Sequence, residues 1–162
     1  MASKLPRLVR ELAMWLLIGV AVSLAVDYFR QPELPQNFAS AALQTLDGKP
    51  VDLIAMSEER PLLVYVWATW CGVCRYTTPS VSALAAEGGN VMSVALRSGD
   101  NATLERWLAK KKMTLPTVND ASGSLSRQWD VQVTPTLVVI SHGEVKSITT
   151  GWTSSWGMRL RL

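Results

Sequence analysis

Two cysteines separated by two residues are the part of this sequence best suited to chemistry. Cys71 and Cys74 are the only cysteines among 162 residues, which excludes a small scaffold held together by several disulfides. A disulfide between them closes a very short loop and restricts the unfolded chain little. Because stability is then a poor reason for the pair, we interpret it as a redox-active disulfide that exchanges with thiols and needs no other cofactor.

The residues around the pair predict how one sulfur becomes reactive. The continuous apolar run 62–67 is typical of a strand buried on both faces, and residues 69–87 predict a turn followed by a helix. Cys71 would then lie at the helix N-terminus, where the helix dipole and unpaired N–H groups lower the pKa of its thiol. Cys74 would lie one turn further in, shielded, and would release substrates that Cys71 has captured.

A metal site is the competing interpretation of the same sulfurs. Together with His142 they make three Cys and His residues, whereas structural zinc usually takes four such ligands. A non-enzymatic Cu(I)-binding module would add a methionine. His142 lies in a turn-like Ser-His-Gly sequence, where a histidine usually faces solvent. We therefore predict redox chemistry with no metal ligand and keep the copper-binding module as an alternative.

The N-terminal residues predict export. Residues 12–26 are almost wholly apolar and follow three basic residues in the first ten, which places the N-terminus in the cytoplasm and everything after residue 30 outside. A single transmembrane helix over residues 12–29 is one interpretation. A cleaved signal peptide, with Ser23, Leu24 and Ala25 before the cut, is the other. We favour the anchor, in a bacterial inner membrane with the catalytic domain in the periplasm.

Composition and charge set the remaining organisation. We predict a cytoplasmic stub and anchor (or signal peptide) at 1–30, a Pro-containing linker at 31–37 and one catalytic domain at 38–162. The chain has 16 basic and 13 acidic residues, of which residues 1–30 hold four and two, so the remainder is nearly neutral. No basic stripe predicts nucleic-acid binding. The cluster Lys110, Lys111 and Lys112 is interpreted as a solvated helix end.

Strand and helix patterns alternate through the catalytic domain. Apolar alternation on both sides of the Asp47–Gly48 turn predicts an N-terminal β-hairpin. The further predicted elements are a strand at 91–96, a helix from Asp100 or Asn101, a strand at 115–118, a helix at 125–129, a strand at 131–140 broken by Pro135, and a strand at 145–150. This order predicts an α/β fold with a mixed central sheet flanked by helices.

The sequence around the cysteines resembles a known family. Residues 64–75 are similar to the active-site strand and loop of thioredoxins, and Trp-Ala-Thr-Trp-Cys is similar to the TlpA-like extracytoplasmic branch. Pro79 falls where that family has a kinking proline in its active-site helix, and Thr134-Pro135-Thr136 is similar to its cis-proline segment. Within the branch, the single N-terminal span and Cys-Gly-Val-Cys most resemble the suppressor-of-copper-sensitivity protein D oxidoreductases.

This resemblance implies a thioredoxin fold and a set of site residues. Cys71 and Cys74 would be catalytic, and Pro135 would be cis and lie against them. The backbone of Thr134 would pair with an extended substrate segment. The residues implied in substrate binding are Trp70, Gly72, Val73, Thr134 and Pro135.

The resemblance also implies partners and direction. Substrates would be proteins with disulfides or thiols, a membrane donor of the DsbD or ScsB type would supply electrons, and the function would be linked to copper tolerance. Cytochrome c maturation is an alternative, although Thr136 stands where that group tends to have an acid. No cation separates the cysteines at Gly72 and Val73, so we predict a potential nearer the reducing end of the range, about −270 mV, than the oxidising end, about −120 mV.

Two positions depart from the family. Tyr65 stands where thioredoxins bury an acid, and Thr77 stands where some TlpA-like reductases have a glutamate. The proton of Cys74 would therefore pass to water or to Tyr65 acting through it. Arg75 either favours the Cys71 thiolate or is an ordinary exposed arginine.

Overall fold

The structure, a computed structural model, describes residues 4–30 and 38–162 of a chain that separates into two compact units, Met1–Gln31 and Pro32–Leu162. The first unit contains helix α1, Lys4–Arg30. Across the described residues, no helix combines the length and the apolar character that a membrane crossing requires. The anchor at 12–29 and the domain boundaries stay predictions, and the predicted linker at 31–37 lies outside the described residues.

The second unit is built on a mixed sheet, as predicted, and this sheet has five strands. Its strands lie in the order β5-β4-β3-β6-β7. They are β3 (Leu62–Trp67), β4 (Val91–Leu96), β5 (Thr117–Asp120), β6 (Thr136–Ser141) and β7 (Glu144–Thr150). Strands β3, β4 and β5 run parallel, whereas β6 and β7 join the sheet antiparallel.

Helices cover the sheet and complete the core. They are α2 (Leu53–Ser57), α3 (Cys74–Ala86), α4 (Asn101–Lys110), α5 (Ser124–Gln128) and α6 (Ser155–Arg159). All six side chains of β3 are buried, and they alternate between two apolar clusters on opposite faces of the sheet. Tyr65 and Trp67 pack on the face that also contains Cys74 and Val81 of α3, so the strand that precedes the cysteines is fixed on both sides.

Three local predictions were wrong in their extent. The hairpin consists only of β1 (Leu43–Gln44) and β2 (Pro50–Val51). Residues 53–57 form a helix instead, because the Asp52 carboxylate accepts hydrogen bonds from the N–H groups of Ile54 and Ala55 in the first helical turn. Strand β5 begins two residues later than predicted, and β6 begins only at Thr136, since Pro135 has no N–H for the ladder.

Candidate active site

The two cysteines lie where β3 ends and α3 begins. A turn follows the strand, in which the Cys71 N–H donates to the carbonyl of Ala68 at 3.2 Å. Cys74 is the first residue of α3. The rigid strand and the rigid helix therefore fix the position of the pair, as the sequence predicted.

Cys71 and Cys74 are joined in a disulfide, with their Cα atoms 5.3 Å apart. Their environments differ, since Cys71 is partly exposed and Cys74 is only 2% exposed. The Cys74 N–H donates to the Cys71 Sγ at 3.1 Å. In the reduced protein this N–H, at the positive end of α3, stabilises negative charge on the Cys71 sulfur. Cys71 is thus the accessible sulfur and Cys74 the shielded one.

The segment before β6 approaches the same sulfur from the opposite side. The Thr134–Pro135 peptide bond is cis, as predicted, and the Thr134 carbonyl oxygen lies 3.5 Å from the Cys71 Sγ. Two hydrogen bonds fix this loop: Gly151 N–H donates to the Pro135 carbonyl at 2.8 Å, and the Thr136 hydroxyl donates to the Val133 carbonyl at 2.7 Å. The Thr134 N–H finds no acceptor within the described part of the chain.

Exposed apolar side chains lie on the two loops that meet at the accessible sulfur. Trp70 is 62% exposed, and its indole Nε1–H donates to the Arg97 carbonyl at 3.1 Å, which fixes the ring beside the pair. Val73 and Val133 are also exposed, on the two loops that contribute to the site. Gly72 has open space around its Cα. We call Trp70, Val73 and Val133 the apolar rim.

A buried hydroxyl pair replaces the family's buried acid. The Tyr65 and Thr78 hydroxyls lie 2.8 Å apart, and burial raises the pKa of Tyr65 to about 12. The phenol is therefore neutral at physiological pH and is a poor acceptor for the Cys74 proton, which favours water in that role. Thr77 is also fully buried, and its hydroxyl has no partner among the described residues.

A cavity of about 510 Å³ opens beside the pair on the side of α4. Besides both cysteines, its wall includes Arg75, Trp107, Lys111, Lys112 and Met113. We call this space the α4 cavity. The lysine cluster does lie at the end of α4, as predicted, but no local pattern indicated that two of its members share a cavity wall with the cysteines.

His142 does not join the sulfurs. It is exposed in the turn after β6, whereas Thr134 and Pro135 precede that strand. At about 3.3 Å per residue, the six-residue strand holds the two ends roughly 20 Å apart. Over the described ranges 4–30 and 38–162, no group of three Cys, His, Asp or Glu side chains is placed to hold a metal ion.

The fold and the cysteine pair define a thioredoxin-like protein-disulfide oxidoreductase. The chain belongs to the Redoxin family, whose pattern matches residues 32–154. It is 39% identical over 159 residues to a thioredoxin-like protein of Haemophilus influenzae, and the matched region covers 98% of this chain and 95% of that relative. It is 30% identical to the thiol:disulfide interchange protein DsbE of Pseudomonas aeruginosa, over 76% of this chain and 74% of the relative.

The solved structures agree with this fold. A secreted disulfide oxidoreductase of Mycobacterium tuberculosis, described as homologous to Escherichia coli DsbE, superposes with a TM-score of 0.65. The match covers 78% of this chain and 97% of that structure at 23% identity. The DsbE-type relatives agree with the predicted TlpA-like branch, whereas the narrower resemblance to the suppressor-of-copper-sensitivity proteins stays a prediction.

Replacing the buried Tyr65 phenol should remove an ionisation that the protein shows at high pH. Because the pKa of Tyr65 is raised to about 12 from about 10 in the unfolded chain, its neutral form contributes stability below pH 10 that is lost as the pH rises to 12. Tyr65→Phe should remove the phenolate absorbance step near pH 12. It should also lower the free energy of unfolding at neutral pH by about 1–3 kcal/mol, since the buried Thr78 hydroxyl loses its partner. Tyr76 is exposed, so Tyr76→Phe is the matched control and should keep the step.

Proposed function

We propose that this protein is a periplasmic protein-disulfide reductase tethered to the inner membrane. The observation that carries the proposal is the contact set of the Cys71 sulfur, which has a helix N-terminal N–H at 3.1 Å and the Thr134 carbonyl at 3.5 Å. The first group stabilises a thiolate, and the second belongs to a backbone segment with an unused N–H. The nucleophilic Cys71 sulfur therefore lies next to a backbone segment that can bind an extended peptide.

The reaction is an exchange of two electrons. The Cys71 thiolate attacks one sulfur of a substrate disulfide; the S–S bond breaks, and the other sulfur leaves with the electron pair and takes a proton. Cys74 then loses its proton to water and attacks the Cys71 sulfur. The second substrate thiolate leaves, the substrate is reduced to a dithiol, and the Cys71–Cys74 disulfide forms. A dithiol donor reverses these steps to restore the enzyme.

Substrate recognition would combine backbone pairing with apolar contact. A backbone carbonyl of an extended substrate segment could accept a hydrogen bond from the Thr134 N–H, which would align the segment with the loop before β6. The side chains of the segment would then pack on the apolar rim. Such contacts depend little on sequence, because a backbone carbonyl and an apolar side chain are available near most cysteines. We therefore expect unfolded or locally exposed protein disulfides to be substrates.

A trapping experiment tests the proposed function. In Cys74→Ala the second step cannot occur, so proteins captured on Cys71 should persist as mixed disulfides that a reductant releases. Non-reducing electrophoresis and mass spectrometry would identify them, with Cys71→Ala as the matched control that captures nothing. Equal capture by both variants would contradict the assigned roles. Capture confined to apocytochrome cysteines would favour the cytochrome c maturation alternative, and copper-tolerance proteins would support the predicted link to copper.

Direction depends on the reduction potential. Because Gly72 and Val73 place no cation between the cysteines, the disulfide should be hard to reduce, with a potential nearer about −270 mV than about −120 mV. Equilibration with glutathione buffers, followed by thiol alkylation, measures this value. Gly72→His adds a cation between the cysteines and should move the potential toward the oxidising end. A wild-type value close to that end would make the protein an oxidase instead.

The tether is proposed from residues 12–29 together with the basic residues before them. It would hold the catalytic unit near a membrane dithiol donor of the DsbD or ScsB type. The full chain should remain in the membrane pellet after alkaline carbonate washing, and a C-terminal reporter should be active only in the periplasm. Release of the protein with a shortened N-terminus would show that the segment is a cleaved signal peptide.

A further inference from the structure

We propose that the α4 cavity binds an acidic segment next to the reacting cysteine of a protein substrate. This inference rests on the proposed function and adds a preference to it. The cavity wall includes both Cys71 and Cys74, so a bound segment would lie directly beside the Cys71 sulfur that attacks the substrate. It opens on the side of α4, whereas Thr134 and the loop before β6 do not contribute to its wall.

The charge of the cavity is entirely positive. Arg75, Lys111 and Lys112 contribute to the wall, and no Asp or Glu does. All three are exposed, and none has a carboxylate within ion-pair distance in the described part of the chain, where the ion pairs lie elsewhere. Three cations without counter-charges around one concave space attract carboxylates and exclude basic segments.

The cations surround an apolar surface. Trp107 and Met113 are half-buried members of the wall, and Trp67 lies beneath as part of the core. The Lys111 Nζ lies 5.9 Å from the centre of the Trp107 ring, which holds this charge beside the apolar surface. A volume of about 510 Å³ is within the usual range for ligand sites and accommodates a few side chains. The arrangement fits an apolar residue flanked by acidic ones.

The cations of the cavity come from two separate elements, which favours a peptide over a single small anion. Arg75 belongs to the first turn of α3, whereas Lys111 and Lys112 follow α4, so the cations approach the cavity from two separate elements. A chain with carboxylates on successive residues can meet both. Its cysteine would then reach Cys71 from the α4 side, leaving the Thr134 side for the residues beyond it.

Thiol-exchange rates with matched peptides test this inference. The full-length reduced protein would react with two peptides, each with one cysteine as a neutral thiopyridyl mixed disulfide and flanked by either glutamates or glutamines. Thiopyridone release gives the second-order rate constant. We expect the glutamate peptide to react about three- to tenfold faster, with an advantage that falls as salt rises.

Two double variants separate the effect of the cavity cations on the rate ratio from the effect of the protein's net charge. Lys111→Gln/Lys112→Gln should remove most of the rate ratio between the two peptides. Arg106→Gln/Lys110→Gln changes net charge equally on exposed residues of α4 outside the cavity and should keep the ratio. The ratio cancels any change in the intrinsic reactivity of Cys71.

The outcomes also separate this inference from the proposed function. A ratio near one, or equal losses in both double variants, would overturn the inference, while exchange with both peptides would leave the reductase proposal standing. Absence of exchange with either peptide would overturn both. Lys111→Gln/Lys112→Gln could slow the exchange with glutathione disulfide but leave the exchange with the glutamate peptide unchanged. The cavity would then be a site for small acidic disulfides, and the peptide proposal would be wrong.

Discussion

The hydrogen bond from the Cys74 N–H to the Cys71 sulfur is the interaction on which the site depends. It requires a helix whose first residue is Cys74, and a preceding turn that brings Cys71 back over the helix end. That turn is held because β3 is buried on both faces and cannot slide. The buried central strand therefore determines where the reactive sulfur lies.

The cysteine pair divides its surroundings into two unlike sides. On one, the loop containing Thr134 and Pro135 offers backbone groups and the exposed Val133 side chain, which suit an extended chain of almost any sequence. On the other, the α4 cavity offers cations and apolar surface, which discriminate by charge. In the proposed binding mode, a general contact and a selective one act on the same substrate, one on each side of its cysteine.

The buried hydroxyl pair changes the electrostatics beneath the site. A buried acid would add a titrating charge near the disulfide, whereas the Tyr65 and Thr78 hydroxyls stay neutral over the physiological range. The reactivity of the pair then depends on the helix N-terminus and on groups at the surface. Neither family position holds an acid that could take the Cys74 proton, and this supports the proposal that water takes it.

The sequence by itself determined the features that local patterns encode. The spacing of Cys71 and Cys74, the apolar run of β3 and the helix after it predicted the reactive sulfur, the order of the elements and the mixed sheet. The strand and helix patterns depend on residues close together in the sequence, and the order of these elements along the chain favours a mixed sheet. The resemblance to thioredoxins added the cis peptide bond before Pro135, which spacing alone does not specify.

Only the tertiary structure decided what meets across the sheet. The Thr134 carbonyl and the Cys71 sulfur are 63 residues apart in sequence, and they approach because β6 pairs with β3. Lys111 and Lys112 look like any solvated helix end until α3 and α4 pack on the same face of the sheet and the two lysines become part of the cavity wall beside the cysteines. Such contacts depend on how elements pack rather than on the local sequence of either one, so the positive cavity could be recognised only in the folded chain.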